Sequence, residues 1–203
     1  MESVARGRTR WRRFAVVMVP GVAATAAVGV ALAQGALAAS FSISGQNFKI
    51  AVDELEGTGF VQYGTVNKQH GGKDVPVGVS AFKRAEISGL CQSVVLPIMG
   101  GVTLRLTAGE GDRKVEASNI YIDADSLSGD ATFRDINIGV AAGDSKKGPG
   151  VSPGDRTPAG SFAMEADRAT LTDVRQNAWA TNAGSFKLTG LKLNVAKGAK
   201  ECF

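Results

Sequence analysis

Ile120-Tyr121-Ile122-Asp123-Ala124-Asp125 alternates apolar and polar side chains one for one, and this stretch decides the fold class. Successive side chains of an extended strand point to opposite faces, so such a run buries one face and wets the other. The same period of two recurs in Phe48/Ile50/Val52, Val75/Val77/Val79, Val102/Leu104/Leu106, Ile136/Ile138/Val140 and Leu191/Leu193/Val195. A helix would repeat its apolar positions every three or four residues, and that pattern is scarce. The expectation is an all-β fold, a single domain of mainly antiparallel, curved or sandwich-like sheet around one core.

Glycine supplies the punctuation. Gly57-Thr58-Gly59, His70-Gly71-Gly72, Gly100-Gly101, Gly109-Glu110-Gly111 and Gly129-Asp130 separate strand-like runs and read as turns. At Gly190 the apolar face shifts by one residue, from Phe186/Leu188 to Leu191/Leu193, as a β-bulge would make it. The stretch GDSKKGPGVSPGDRTPAG has no apolar period, so a flexible loop is expected at about 143–160. Residues 168–180 (RATLTDVRQNAWA) fit either a short helix or further strand. Short echoes ending in glycine (Glu86-Ile87-Ser88-Gly89, Leu127-Ser128-Gly129, Leu188-Thr189-Gly190) are too unevenly spaced for a solenoid. They suit stacked hairpins of similar make, or chance in a glycine-rich chain.

The amino terminus carries a targeting signal. Arg6, Arg8, Arg10, Arg12 and Arg13 precede an apolar run from Phe14 to about Leu37, which ends in the small-residue pattern Ala36-Leu37-Ala38. Residues 1–38 are expected to be a signal peptide cut between Ala38 and Ala39, leaving 39–203 as the β domain. The alternative is an uncleaved membrane anchor, since about 20 apolar residues can span a bilayer. The expected location is exported, either extracellular or at the outer face of the cytoplasmic membrane. Charge follows the same division. The chain holds 23 basic and 19 acidic residues; five of the arginines and one glutamate lie in 1–38, leaving 18 of each sign beyond it. A neutral mature chain gives no footprint for nucleic acid. Cys91 and Cys202 are the two cysteines, both in the exported part, and are expected to pair as a structural disulfide.

Chemistry-bearing motifs are few. Gly150-Val151-Ser152-Pro153-Gly154 spells the G-x-S-x-G of serine hydrolases. That motif needs a strand-to-helix elbow and the backbone N–H of the residue after the serine. Here the residue is Pro153, which has none. The one histidine, His70, precedes the serine rather than following it and sits in a turn. The match is therefore read as spurious. Asp123 and Asp125 share one strand face, with Asp130 and Asp135 close by. They could bind Ca²⁺ weakly or act as an acid–base pair, but read more simply as a solvated face. No catalytic, cofactor-binding or metal-ligating set is expected.

Three segments carry a resemblance: Thr9-Arg10-Trp11-Arg12-Arg13-Phe14-Ala15-Val16-Val17, Gly57-Thr58-Gly59-Phe60-Val61-Gln62-Tyr63-Gly64, and Leu188-Thr189-Gly190-Leu191-Lys192-Leu193. With them the chain resembles, over essentially its whole length, an uncharacterised family of exported actinomycete proteins. Some members of that family carry the label cholesterol esterase. The resemblance brings no catalytic residues, and the failed serine motif argues against inheriting the label. The Ala124-Asp125 and Ala166-Asp167 strands are also similar, more loosely, to those of bridge-forming lipid-transport β proteins. The function expected is a non-enzymatic binding or structural role in the cell envelope, with an apolar or lipid ligand, or a membrane-protein partner, as candidates. A sheet folded on itself could enclose a lipid chain or be filled by its own side chains. An extracellular lipid-ester hydrolase and an anchored envelope component are the alternatives.

Overall fold

A computed structural model describes residues 44–203. The leader, the Ala38–Ala39 cleavage point and any anchor helix lie outside these residues. Nine strands follow in order: β1 (Phe48–Lys68), β2 (Asp74–Ser88), β3 (Leu90–Leu96), β4 (Val102–Ala108), β5 (Val115–Arg134), β6 (Asn137–Ala141), β7 (Phe162–Asn182), β8 (Ser185–Lys187) and β9 (Lys192–Lys197). A single 3₁₀ turn lies at Ala142–Asp144. The fold is all-β, and residues 168–180 are strand, inside β7.

The strands form one antiparallel sheet, and it closes. β1 pairs with β2, β2 with β5, β5 with β7, and β7 returns to β1. The result is a barrel of four long strands rather than a sandwich. Register shows why so few strands suffice. Along β1, Glu54 faces Ser88 and Lys49 faces Ser93, so β2 and β3 are one ribbon in one register. Along β5, Tyr121 faces Asn182 and Ser118 faces Ser185, so β8 continues β7. Long strands accumulate right-handed twist, and a coiled sheet brings its first and last strands into hydrogen-bonding range.

Phe60, Phe82, Ile120, Leu55 and Val174 are among the buried residues that fill the barrel. The ring centroids of Phe60 and Phe82 lie 5.2 Å apart. This packing corrects one expectation. Gly57-Thr58-Gly59 is not a turn but lies within β1, because the Phe82 ring occupies the place of a side chain at Gly57: a Cβ there would fall 2.2 Å from Phe82 Cδ1. Gly129-Asp130 likewise lies within β5, at a register shift. The remaining glycine clusters do connect strands.

A second apolar layer lies on the outer face of part of the barrel. Val61, Val75, Val77, Val79 and Ala81 point away from the Phe82 side and pack with Ala142, Ala163 and Ala180. Their cover is the Gly/Pro-rich segment expected to be a flexible loop. It contains no strand, but it is tied down at its ends by Ala142 N–H to Ser161 O and Gly143 N–H to Ala159 O, both 2.8 Å. Gly148 sits so close to Val61 that a Cβ would fall 2.5 Å from that residue's Cβ.

Beyond the barrel, β3, β4 and β9 extend as a three-stranded flap. They leave it at a row of glycines that lie at the ends of neighbouring strands. Gly89 N–H donates to Gly109 O and Gly109 N–H to Thr189 O, each at 2.9 Å. Gly89, Gly109 and Gly190 have φ of +64°, +74° and +71°, the left-handed region that costs glycine little. The face shift at Gly190 is thus one member of a shared kink. The carboxy terminus folds back across one flap face. Cys202 bonds Cys91 in the disulfide (Cα–Cα 5.9 Å), Thr103 Oγ1 donates to Gly198 O at 2.6 Å, and Cys202 N–H donates to Ser93 Oγ at 3.0 Å.

Candidate functional site

Ser152 lies in the covering segment, with no helix after it. Its backbone N–H donates to Tyr63 Oη at 2.8 Å, which makes the residue a backbone anchor. His70 stands exposed in the turn between β1 and β2, and no hydrogen bond among the described residues joins it to Ser152. The carboxylates are also placed apart. A bulge at Ala124–Ser126 separates Asp123 from Asp125. Asp125 is exposed and accepts from Trp179 Nε1 at 2.8 Å, and Asp130 and Asp135 are exposed. Among the described residues, no three His, Cys, Asp or Glu side chains converge to hold a metal.

Asp123 behaves differently from its neighbours, and sequence reasoning missed it. The face it occupies is not solvated, because residues 142–161 cover it, and Asp123 is only 6% exposed. Its Oδ2 accepts from Asn67 Nδ2 at 2.6 Å. Nearby, Tyr63 Oη donates to Asp155 Oδ2 at 2.7 Å. Burial raises the Asp123 pKa to about 6; the Asn67 amide opposes the rise and the charge of Asp155 adds to it. Burial also raises Asp155, against the Tyr63 hydrogen bond. The Tyr63 and Tyr121 hydroxyls are pushed up by burial first and by the Asp155 charge as well. Thr65 Oγ1 is buried beside Tyr63 in the chain without a partner among the described residues. Such a cluster can hold a proton near neutrality, but its geometry is that of a tie between the covering segment and the barrel.

Glu165 makes a second tie. Its Oε2 accepts the backbone N–H groups of Lys146 (2.7 Å) and Lys147 (2.9 Å), and its Oε1 accepts from Asn137 Nδ2 at 3.1 Å. Burial works against its ionised form, yet these donors together hold its pKa below the usual carboxylate value.

The barrel interior contains a free volume of about 30 Å³, bounded by Phe82, Ile120, Ile122, Leu171 and Phe186 among others. That is room for about two water molecules and far too little for a lipid chain. Of the two readings of the apolar strand faces, the filled core is the one the packing matches.

Among the described residues, an unpartnered apolar surface lies on the flap. Cross-strand partners share a face. Val94 faces Leu104 and Leu104 faces Val195; Leu106 faces Leu193; Leu96 faces Val102. This is the face opposite the carboxy-terminal tail. Leu193 and Val195 are 63% and 64% exposed, and Leu104 and Leu106 are half-buried. At the tip of the β3–β4 hairpin, Ile98 is 51% and Met99 86% exposed. A sequence signal for this surface existed in the apolar alternation Leu191/Leu193/Val195.

Fold and surface together define a class: a closed antiparallel β-barrel, filled inside, with an apolar flap outside. Residues 44–203 match the model of a family of unknown function, DUF6230, and the chain belongs to that family. No curated protein and no solved structure matches it.

Proposed function

We propose that this chain is an exported, non-enzymatic protein of the actinomycete cell envelope with a binding role, and that it binds apolar partners on its flap rather than inside its barrel. The observation that carries this reading is the flap face itself. Soluble chains scatter exposed apolar residues singly, whereas contiguous patches accompany interaction sites. Leu104, Leu106, Leu193 and Val195 are contiguous by register and lie on one side. The leader and the disulfide support an oxidising, exported location. The filled barrel supports moving any apolar ligand to the outside.

The test is binding of an anilinonaphthalene dye to the purified chain, with and without Leu193→Asp and Val195→Asp. The dye should bind the parent and be lost from the double variant while far-ultraviolet circular dichroism is unchanged. Equal binding by both would refute the flap as the surface. A lipid-ester hydrolase activity that disappears on Ser152→Ala would refute the non-enzymatic reading.

A further inference from the structure

We propose that the flap docks on a lipid bilayer, with the Ile98–Met99 tip and the Leu104/Leu193/Val195 face entering the hydrocarbon. This names the partner of the surface proposed above and rests on that reading. Three observations converge on it.

The first is the composition of the tip. Hairpin loops ordinarily carry Gly, Asn, Asp or Ser at their apex. Here Pro97-Ile98-Met99-Gly100-Gly101 places two large apolar side chains there, and Met99 is 86% exposed. Met99 also sits at φ +51°, a left-handed position uncommon for a side chain of its size.

The second is where the rest of the chain attaches. Gly45, Gln46 and Asn47 line a cleft together with Val95, Leu96 and Pro97 of the hairpin. The residues before Ser44 therefore join the domain beside the tip. The apolar run of the leader ends near Leu37, and the six residues from Ala38 to Ile43 separate it from Ser44. At full extension these span at most about 20 Å. A leader held in the membrane, during export or as a retained anchor, would therefore keep Ser44, and the hairpin beside it, within that reach of the bilayer.

The third is the asymmetry of the flap. The carboxy-terminal tail covers one face, where Ser93 and Thr103 are 1% and 0% exposed, and leaves the apolar face bare. The backbone edge of β9, unpaired among the described residues, sets the depth. Unpaired N–H and C=O groups are costly in hydrocarbon, so the flap lies in the interface with its side chains inserted and does not span. Lys197 ends β9 on the same alternation as Leu193 and Val195, where a long cationic side chain can reach headgroups.

The experiment uses the full chain with vesicles of phosphatidylcholine and phosphatidylglycerol whose acyl chains are brominated. An indole is introduced by Met99→Trp, or as a control by Phe162→Trp, an exposed aromatic at the opposite end of the barrel. Emission is read as the difference from the unsubstituted chain. Docking predicts a blue shift and loss of most of the added emission for Met99→Trp, reversed by a further Leu193→Asp, with Phe162→Trp unaffected. No quenching for Met99→Trp, or equal quenching at both positions, overturns membrane docking. In the unquenched case, iodide quenching separates the two readings. Protection of the Met99→Trp indole that grows with protein concentration would assign the face to a second copy and keep it as a binding surface. Free access for iodide at every concentration would remove both.

Discussion

Replacing Asp123 with asparagine should stabilise this protein at neutral and alkaline pH and do nothing for it in acid. Asp123 is 6% exposed, and its pKa in the fold is raised from 3.8 to about 6, chiefly by burial. At about 1.4 kcal/mol per pKa unit, ionising it costs the folded state about 3 kcal/mol. The sign follows from which state holds the proton. Below 3.8 the carboxyl is protonated in both folded and unfolded chains, and no cost exists. Between 3.8 and about 6 the unfolded chain ionises first, and stability falls as pH rises. Above about 6 both are ionised and the full cost persists. Asparagine keeps the shape and can still accept from Asn67, but it adds an amide donor that needs a partner, at about 1 kcal/mol. The net gain above neutrality is then about 2 kcal/mol, and near pH 4 the variant should be equal or about 1 kcal/mol worse. Equilibrium urea unfolding of parent and Asp123→Asn, disulfide intact, across this range reads the difference directly. Asp155, whose charge acts on Asp123, is present in both proteins, so its own contribution largely cancels. A stability difference independent of pH, or a variant less stable at alkaline pH, would refute the reasoning.

Three further outcomes follow from the packing. Gly57→Ala should cost more than about 2 kcal/mol, because its Cβ would meet the Phe82 ring, whereas Gly64→Ala, with open space around it, should be near neutral; thermal unfolding compares them. Replacing both Cys91 and Cys202 by serine releases a closed loop of 111 residues' separation, for which chain entropy gives roughly 4–5 kcal/mol, and the loss should appear in urea unfolding and be reproduced by reductant on the parent. Glu165→Gln weakens the acceptor for the Lys146 and Lys147 N–H groups; it should cost about 1–3 kcal/mol and speed hydrogen exchange at those two amides before others in the barrel.

The strands were legible because their signal is local. Four of the six alternating runs lie wholly within strands, while those at Ile136 and Leu191 begin one residue before β6 and β9. The Ile120 run buries its apolar side in the barrel, whereas in the Val102 run the polar Thr103 is buried and the apolar side faces outward. The disulfide was legible too, since a chain with two cysteines admits one intramolecular pairing. The carboxylate cluster was not. An aspartate on the polar side of a strand looks solvated until something covers it. What covers Asp123 is a segment whose Gly/Pro composition carries no periodicity to announce a packing partner. Gly57 was misread for a similar reason: a glycine that ends a strand and a glycine that makes room for a ring are identical in sequence.

By itself, then, the sequence determined the all-β class and the cross-link, each of which depends on neighbouring residues or on a simple count. Closure of the barrel, the row of kinks at Gly89, Gly109 and Gly190, and the bareness of one flap face were decided only in three dimensions. They depend on register between strands more than 100 residues apart, such as Ile50 with Gln176, and on the tail choosing one side of the flap. No local pattern encodes either choice, because both arise from accumulated twist and from competition among surfaces for the same cover.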